Sequence, residues 1–200
     1  MILDLQEALD CVKDLNSPNL HDFVVYCVIS CSLEKKEKER MGASKVLSAL
    51  YKEKIVSEDN FKKGFMAVAS ELEDTTIDCP RAPAYFATFI ADNVVAKHLD
   101  VSFLSTAVKP LLSTRLDLAQ KLFVEVFKSV ATLTDEVTAS DIYRSSTLDV
   151  KALLPSDKHS NTAIIDFFES NVKLYLHFSA ALLALPANSA CLLGYFSHAV

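Results

Sequence analysis

The stretch Asp74-Thr-Thr-Ile-Asp78-Cys-Pro-Arg-Ala-Pro83 decides the fold prediction, because it joins two segments with strong helical periodicity. Before it, Phe61 and Phe65 recur one helical turn apart, and after it Phe86 and Phe89 do the same. Its two prolines are tolerated in a connection or in the first turn of a helix, but not in a helix interior. The stretch therefore predicts an acidic connection between two amphipathic helices.

Helical periodicity marks most of the remaining chain, whereas the period-two alternation of strands does not occur in the sequence. The connections are short, so neighbouring helices are expected to be antiparallel. We predict an all-α fold of antiparallel helical hairpins stacked as a HEAT-like superhelix. The expected helices, in chain order, are Leu5–Leu15, Leu20–Leu33, Met41–Tyr51, one capped by Ser57, one from Tyr85 to about His98, then Val101–Val108, Leu116–Leu133, Val137–Tyr143, Val150–Leu154 and Thr162–Phe178.

The pattern also predicts which faces are buried. On the second helix, Phe23, Val24, Cys27, Val28 and Cys31 are expected to form an apolar face. The aromatic stripes Phe61/Phe65 and Tyr85/Phe86/Phe89 are interpreted as core rather than as a platform for stacking RNA bases. The charged run Glu34–Arg40 is expected to be a solvated turn and helix start.

The domain prediction is one helical domain over residues 1–178, with a core motif at 1–98 and a continuation at 99–178, followed by an apolar tail at 179–200. No Asp, Glu, Lys or Arg follows Lys173, and the apolar run is long enough to span a bilayer. His177, Pro186 and Asn188 interrupt it and basic flanking residues are missing, which argues against a membrane anchor.

Charge and cysteine usage narrow the class of partner and the compartment. The formal net charge of −6 argues against direct binding of a phosphate backbone, and an acidic surface suits a basic protein partner. Five cysteines without a C-x-x-C pair indicate a reduced, intracellular protein. The start of the chain lacks the features of a signal peptide, so a cytoplasmic location is expected.

The sequence offers no recognisable catalytic or metal-binding motif. The five histidines lack H-x-x-x-H spacing, and three isolated glycines cannot form a phosphate-binding loop. Cys27 and Cys31, one turn apart, are either a metal or redox pair or small buried hydrophobes, and the second interpretation is favoured. Cys79 is expected to lie in an exposed connection, where its thiol is a candidate for modest reactivity that the flanking Asp78 carboxylate would discourage. We therefore expect no enzyme activity, no cofactor and no metal.

Four pieces of the sequence, in order, resemble the MI (MA-3) domain of the translation initiation factor 4 gamma family, a module also found in programmed cell death protein 4. They are Leu5–Leu15 followed by Ser17-Pro18, the acidic stretch, the helix Ala84–Val95, and Leu153-Leu154-Pro155. The resemblance implies the stacked helical hairpins of that family. Family members usually have another helix before the one near Asp4, so the first hairpin is expected to be incomplete here.

The resemblance also implies a site. In the family the acidic connection contacts the DEAD-box RNA helicase initiation factor 4A, and the family's two acidic positions fall on Asp74 and Asp78, with Pro80 and Arg81 beside them. Two carboxylates four residues apart can each accept charge-assisted hydrogen bonds from Arg or Lys of a partner. The alternative interpretation is that they cap the helix beginning near Pro80.

The implied function is a translation initiation scaffold fragment that docks the helicase and modulates its activity in mRNA recruitment and scanning. Its association with mRNA and with the ribosomal initiation complex would be indirect. The competing hypothesis is a helical interaction scaffold or a translation repressor of the same fold that has a different protein partner.

Overall fold

The computed structural model describes residues 5–146, 148, 150–154, 160 and 167. They form α-helices and short 3-10 turns. The α-helices are α1 (Leu5–Asp14), α2 (His21–Leu33), α3 (Glu37–Lys52), α4 (Glu58–Ser70), α5 (Leu72–Asp78), α6 (Ala82–Val95), α7 (Phe103–Val108), α8 (Leu116–Leu133) and α9 (Glu136–Ser145). The 3-10 turns are Pro18–Leu20, Lys109–Leu111 and Val150–Leu153.

The helices pack as hairpins whose neighbours in space are also near neighbours in sequence. Helix α2 packs against both α3 and α4, α1 lies against α3, and α8 packs against α6 and α9. The fold class is therefore the predicted one, an all-α array of helical hairpins of HEAT-like type. One hydrophobic core runs from Leu9 in α1 to Leu153 and Leu154 at the last 3-10 turn, and it also includes Phe167.

Helix α6 lies at the centre of this core, where it contacts α2, α3, α5 and α8. Its contact with α8 is the most extensive between any two helices of the described chain. Most of its residues are buried: Ala82, Pro83, Phe86, Ala87, Phe89, Ile90, Ala91, Asn93 and Val94. The aromatic core prediction is confirmed for the four phenylalanines, whereas Tyr85 is only half-buried.

The predicted buried face of α2 is wrong in part, because Val24 and Val28 are half-buried against the core but other members of that face are not. Phe23 is 58% exposed and Cys31 is also exposed, whereas Val25, Ile29 and Leu33 are buried. The physical reason is that α2 carries apolar residues all around its circumference, so periodicity does not select one face. Contact with α4 decides which face turns inward.

The charged run does contain a helix start, as predicted. Helix α3 begins at Glu37, four residues earlier than the periodicity indicated. The amide of Lys36 donates a hydrogen bond to the Glu39 carboxylate (3.1 Å), which satisfies one of the free donors at the helix start.

Two helix ends use lysine where the left-handed backbone conformation favours glycine. Lys54 (φ 56°) and Lys97 (φ 59°) follow the ends of α3 and α6. After α6, the amide of His98 donates to the carbonyl of Asn93 (2.9 Å) and the amide of Lys97 to that of Val94 (3.0 Å). This Schellman-type closure directs His98 back into the core, where it is 6% exposed.

Helices α2 and α4 approach closely at Gly64. An ideal Cβ placed on Gly64 would lie 2.5 Å from Cβ of Val25 and 2.7 Å from the carbonyl oxygen of Asp22. A backbone oxygen in α2 cannot move away as a flexible side chain can. The absence of a side chain at residue 64 thus sets the distance between the two helices.

We expect Gly64→Ala to lower the free energy of unfolding by about 1–3 kcal/mol, the usual cost of forcing extra atoms into a packed core. Urea denaturation followed by circular dichroism measures this. Gly42→Ala, in the half-buried middle of α3, is the control and should leave stability unchanged or slightly raised, because alanine favours helix. A Gly64→Ala variant as stable as the wild type would contradict the close packing.

His98 is part of a buried polar cluster below the end of α6. The Nδ1 atom of His98 lies 3.2 Å from Oδ1 of Asn93, and its ring stacks on Tyr51 with centroids 4.7 Å apart. The side-chain amide of Asn93 in turn donates a hydrogen bond to the Phe89 carbonyl (2.8 Å). Burial, followed by the charge of Lys52, lowers the pKa of His98 below its usual 6.5. Folding therefore favours the neutral form of the imidazole.

Because this pKa is lower in the folded than in the unfolded chain, the unfolded chain binds more protons below the usual histidine pKa. The contribution of His98 to stability is complete above about pH 6.5 and is lost as the pH falls from there toward the folded-state pKa. We expect the free energy of unfolding to decrease over that interval in urea titrations. The decrease should be smaller in His98→Gln, and an equal decrease in both proteins would contradict the assignment.

Several predictions concern parts of the chain outside the described residues. They are the helix Thr162–Phe178, the apolar tail at 179–200, and the domain boundary between residues 178 and 179. These stay predictions.

Candidate protein-binding surface

The sequence predicted that Asp74 and Asp78 lie in a loop. They lie instead in the short helix α5. Leu72 at its start is fully buried, which fixes the helix to the core. Asp74 and Asp78 are spaced by one helical turn, and both side chains are exposed. A helix presents two carboxylates at a fixed spacing, whereas an irregular loop would not.

The other two carboxylates of this segment are already engaged. Glu71 accepts a hydrogen bond from the Tyr26 hydroxyl (2.6 Å), and Glu73 accepts one from the Thr114 hydroxyl (3.1 Å). Arg115 also approaches Glu73, with 4.0 Å between nitrogen and oxygen. Within the described part of the chain, the carboxylates of Asp74 and Asp78 have neither a hydrogen bond nor an ion pair. Glu71 and Glu73 therefore hold α5 in place, and the two aspartates face solvent.

The interpretation of these aspartates as caps of the next helix is wrong. Helix α6 begins at Ala82, its N-cap residue is Arg81, and no side chain donates or accepts a capping hydrogen bond there. Asp78 is the last residue of α5, and Asp74 lies in the first turn of that helix. The turn at Cys79–Arg81 separates both carboxylates from the amides of α6 that a cap would bind.

Ile77 also belongs to this surface, although it is not among the residues predicted from the sequence. It is 77% exposed, the largest exposed fraction among the big hydrophobic residues of the described chain. Ile77 lies three residues after Asp74 and next to Asp78, so the three side chains share one side of α5. The available signal was an apolar residue within an acidic stretch, but the stretch was predicted to be a loop and Ile77 was therefore not considered.

The turn between α5 and α6 is held by backbone contacts on both sides. The amide of Ala82 donates to the carbonyl of Cys79 (2.9 Å), and the ammonium of Lys121 in α8 donates to the carbonyl of Pro80 (3.3 Å). Pro80 is exposed, as a contact residue must be, whereas Pro83 is buried in α6. The two prolines therefore have different roles, one on the surface and one in the first turn of the helix.

Arg81 is exposed and lies next to an aromatic ring. Its guanidinium carbon is 5.3 Å from the ring centroid of Tyr85, and that of Arg40 in α3 is 3.6 Å from the same centroid. Both distances are within the range of a cation–π contact. Asp74, Asp78, Pro80 and Arg81, the four predicted site residues, thus follow one another around a single exposed corner, which we call the α5–α6 corner (residues 74–81).

The cysteines differ from the prediction. Cys31 is exposed and Cys27 half-buried, so the pair on α2 is not a set of buried hydrophobes; burial, and then the neighbouring Cys31, raise the pKa of the Cys27 thiol. Cys79 is half-buried rather than exposed, with its sulfur 3.9 Å from the Leu33 carbonyl. Among the described residues, no group of three or more His, Cys, Asp or Glu side chains is arranged to hold a metal ion.

A shallow groove of about 280 Å³ lies between α4 and α7. Its two lysines are already paired within α4, Lys62 with Glu58 (2.6 Å) and Lys63 with Asp59 (2.7 Å). The groove therefore presents little net charge. None of the helices in the described ranges is both long enough and apolar enough to cross a membrane.

An array of stacked helical hairpins defines the class of HEAT-like helical domains. The particular family is shown by the sequence. Residues 2–100 match the MA3 domain family, so this half of the chain belongs to the MA3 domain family, the one named MI domain above. The match ends five residues after α6, and it includes the whole α5–α6 corner.

Relatives extend the similarity beyond residue 100. A von Willebrand factor A domain-containing protein of Dictyostelium discoideum is 24% identical over 87% of this chain, covering 8% of that protein. Eukaryotic translation initiation factor 4G of Arabidopsis thaliana is 28% identical over 76% of this chain and 9% of its own length. An Arabidopsis MA3 domain-containing translation regulatory factor 4 is 32% identical over 54% of this chain and 17% of its own length. The chain thus spans less than a fifth of each relative and is similar to translation factors in its helical domain.

Proposed function

We propose that this chain is a non-enzymatic docking module of translation initiation, which acts in the cytoplasm and binds the DEAD-box helicase initiation factor 4A through the α5–α6 corner. By holding the helicase, it modulates helicase activity during mRNA recruitment and scanning. Its association with mRNA and with the ribosomal initiation complex is then indirect, through the helicase.

The observation that carries this proposal is the free carboxylate pair on α5. Asp74 and Asp78 are exposed and have no partner in the described chain, while the neighbouring Glu71 and Glu73 are both occupied. A helicase that binds nucleic acid has basic surfaces, and paired carboxylates on a rigid helix suit Arg or Lys side chains. The MA3 family membership and the similarity to initiation factor 4G support the same partner class.

The exposed side chains of α5 suit two roles in binding: the carboxylates attract a basic partner, and Ile77 makes an apolar contact at the centre of the interface. Unpaired carboxylates raise the association rate with a basic surface and fix its register. Ile77 between them supplies an apolar side chain that is desolvated on docking, and such a centre surrounded by polar contacts is typical of interface hot spots. Because Leu72 anchors the helix, little conformational entropy is lost when α5 binds.

We expect the double variant Asp74→Lys/Asp78→Lys to weaken binding of initiation factor 4A by about 2–5 kcal/mol, because each reversal places a cation against a basic partner. Titration of the purified chain against the helicase, by calorimetry or fluorescence anisotropy, measures the affinity. Both side chains are exposed, so the thermal unfolding of the variant should match the wild type.

The matched control is Asp10→Lys/Asp14→Lys, a second pair of exposed aspartates four residues apart on α1. It makes the same change in net charge away from the α5–α6 corner, so it should keep most of the affinity. The proposal fails if the wild-type chain does not bind at tens of micromolar, or if the corner variant binds like the wild type.

We expect Ile77→Ala to weaken helicase binding about tenfold, while the free energy of unfolding stays within about 0.5 kcal/mol of the wild-type value. The control is Leu133→Ala at the end of α8, where a large hydrophobic residue is 49% exposed. Affinity measured by the same titration should be unchanged in the control. Equal affinity of the Ile77 variant and the wild type would remove Ile77 from the interface.

A second candidate function is an interaction scaffold or translation repressor of the same fold with another protein partner. Two observations favour it: the similarity to a translation regulatory factor and to a von Willebrand factor A domain-containing protein, neither of which is named for initiation. A cytosolic pull-down that retains a different protein through the α5–α6 corner, without the helicase, would support this candidate. Loss of that protein with Asp74→Lys/Asp78→Lys would assign it to the same surface.

A further inference from the structure

Two arginines from distant parts of the sequence converge on one ring beside the carboxylate pair. Arg40 comes from α3 and Arg81 from the turn before α6, and both guanidinium carbons lie within 5.3 Å of the Tyr85 ring centroid. Arg40 is half-buried and also donates a hydrogen bond to the carbonyl of Lys35. Two like charges are therefore found at the same ring, an arrangement that we call the Arg40–Tyr85–Arg81 stack.

These two arginines differ from the other two of the chain. Arg115 pairs with Asp117 (3.0 Å), and Arg144 pairs with Asp141 (3.3 Å). Arg40 and Arg81 have no carboxylate within ion-pair distance among the described residues. Two neighbouring guanidinium groups repel each other unless an anion lies near both, and the ring offsets this repulsion only in part.

A third cation lies at the same turn. The ammonium of Lys121 donates to the carbonyl of Pro80, the residue just before Arg81. Asp78 precedes Arg81 by three residues around the corner. Helix α5 thus carries the anionic groups Asp74 and Asp78, and the turn that follows it has the cationic groups Arg81, Arg40 and Lys121 beside it.

We propose that the Arg40–Tyr85–Arg81 stack binds a carboxylate side chain of the same protein that Asp74 and Asp78 engage. The inference rests on the proposed function and adds to it the requirement that the partner surface carries an acidic residue next to its basic ones. A contact of both signs fixes the rotation of the partner on the corner, since a partner rotated by half a turn would meet like charges.

A carboxylate suits this stack better than a phosphoryl group. Phosphate sites at helix starts use several free backbone amides, but here the amide of Ala82 is taken by the Cys79 carbonyl and Pro83 has no amide hydrogen. The nearby Asp74 and Asp78, together with the net charge of −6, also repel a dianion more strongly than a carboxylate. An Asp or Glu side chain needs only the guanidinium groups.

The test is titration of initiation factor 4A with the double variant Arg40→Gln/Arg81→Gln, which removes both charges and keeps polar side chains of similar reach. We expect affinity to fall about tenfold or more, with a weaker dependence on salt. Lys45→Gln/Lys109→Gln, two exposed lysines elsewhere on the chain, makes the same change in net charge and should keep wild-type affinity. Arg81→Gln alone should give an intermediate loss, and it is the safeguard against misfolding because Arg81 is exposed.

The outcomes separate the two proposals. Wild-type affinity in Arg40→Gln/Arg81→Gln, with loss in Asp74→Lys/Asp78→Lys, overturns the carboxylate contact and leaves helicase docking intact. An equal loss of helicase affinity in Lys45→Gln/Lys109→Gln also overturns the carboxylate contact, because the loss would then follow from the change in net charge. No helicase binding by the wild-type chain overturns both proposals.

A final arm tests the chemistry of the ligand. Inorganic phosphate, compared with chloride at matched ionic strength, should not displace the helicase selectively from the wild-type chain. Selective displacement that is lost in Arg40→Gln/Arg81→Gln would assign the stack to a phosphoryl group and overturn the carboxylate assignment.

Discussion

The burial of α6 is the interaction on which the rest of the structure depends. Helix α6 packs along α8 and also contacts α2, α3 and α5, so it joins the first hairpins to the later ones. Each fully buried phenylalanine or isoleucine side chain contributes about 1.5–3 kcal/mol through removal of apolar surface from water, and α6 carries Phe86, Phe89 and Ile90. The helix also buries a polar side chain, that of Asn93. This side chain is hydrogen-bonded to the Phe89 carbonyl and to His98, so its burial leaves no polar group without a partner there.

The position of α6 explains why the α5–α6 corner is a defined surface. The corner is followed directly by the buried helix α6. Leu72 fixes the start of α5 in the core, and Lys121 donates a hydrogen bond to the Pro80 carbonyl in the turn. A rigid surface loses less conformational entropy when a partner binds, so a small contact area can still give useful affinity. The same packing brings charges from separate elements to one place, since the guanidinium groups of Arg40 and Arg81 both lie near the Tyr85 ring.

Much of the fold could be read from residue spacing. The bounds of α8 were predicted to the residue, and those of α1 and α2 to within one, because their apolar residues recur every three to four positions and turn residues bound them. The acidic stretch was harder, since its seven helical residues are too few to show periodicity and its prolines suggested a loop. A helix this short is stabilised by tertiary contact, here through the buried Leu72, rather than by its own propensity.

The sequence by itself determined the helical class, the MA3 resemblance, and the four residues Asp74, Asp78, Pro80 and Arg81 as one stretch. Only the tertiary structure decided the buried face of α2, the exposure of Ile77, and the meeting of Arg40 with Arg81 on Tyr85. The reason is that local spacing fixes which residues share a helix face, but not which face another helix covers. Local spacing also cannot show that residues 40 and 81 meet. They are far apart in the sequence and come together only when the hairpins pack.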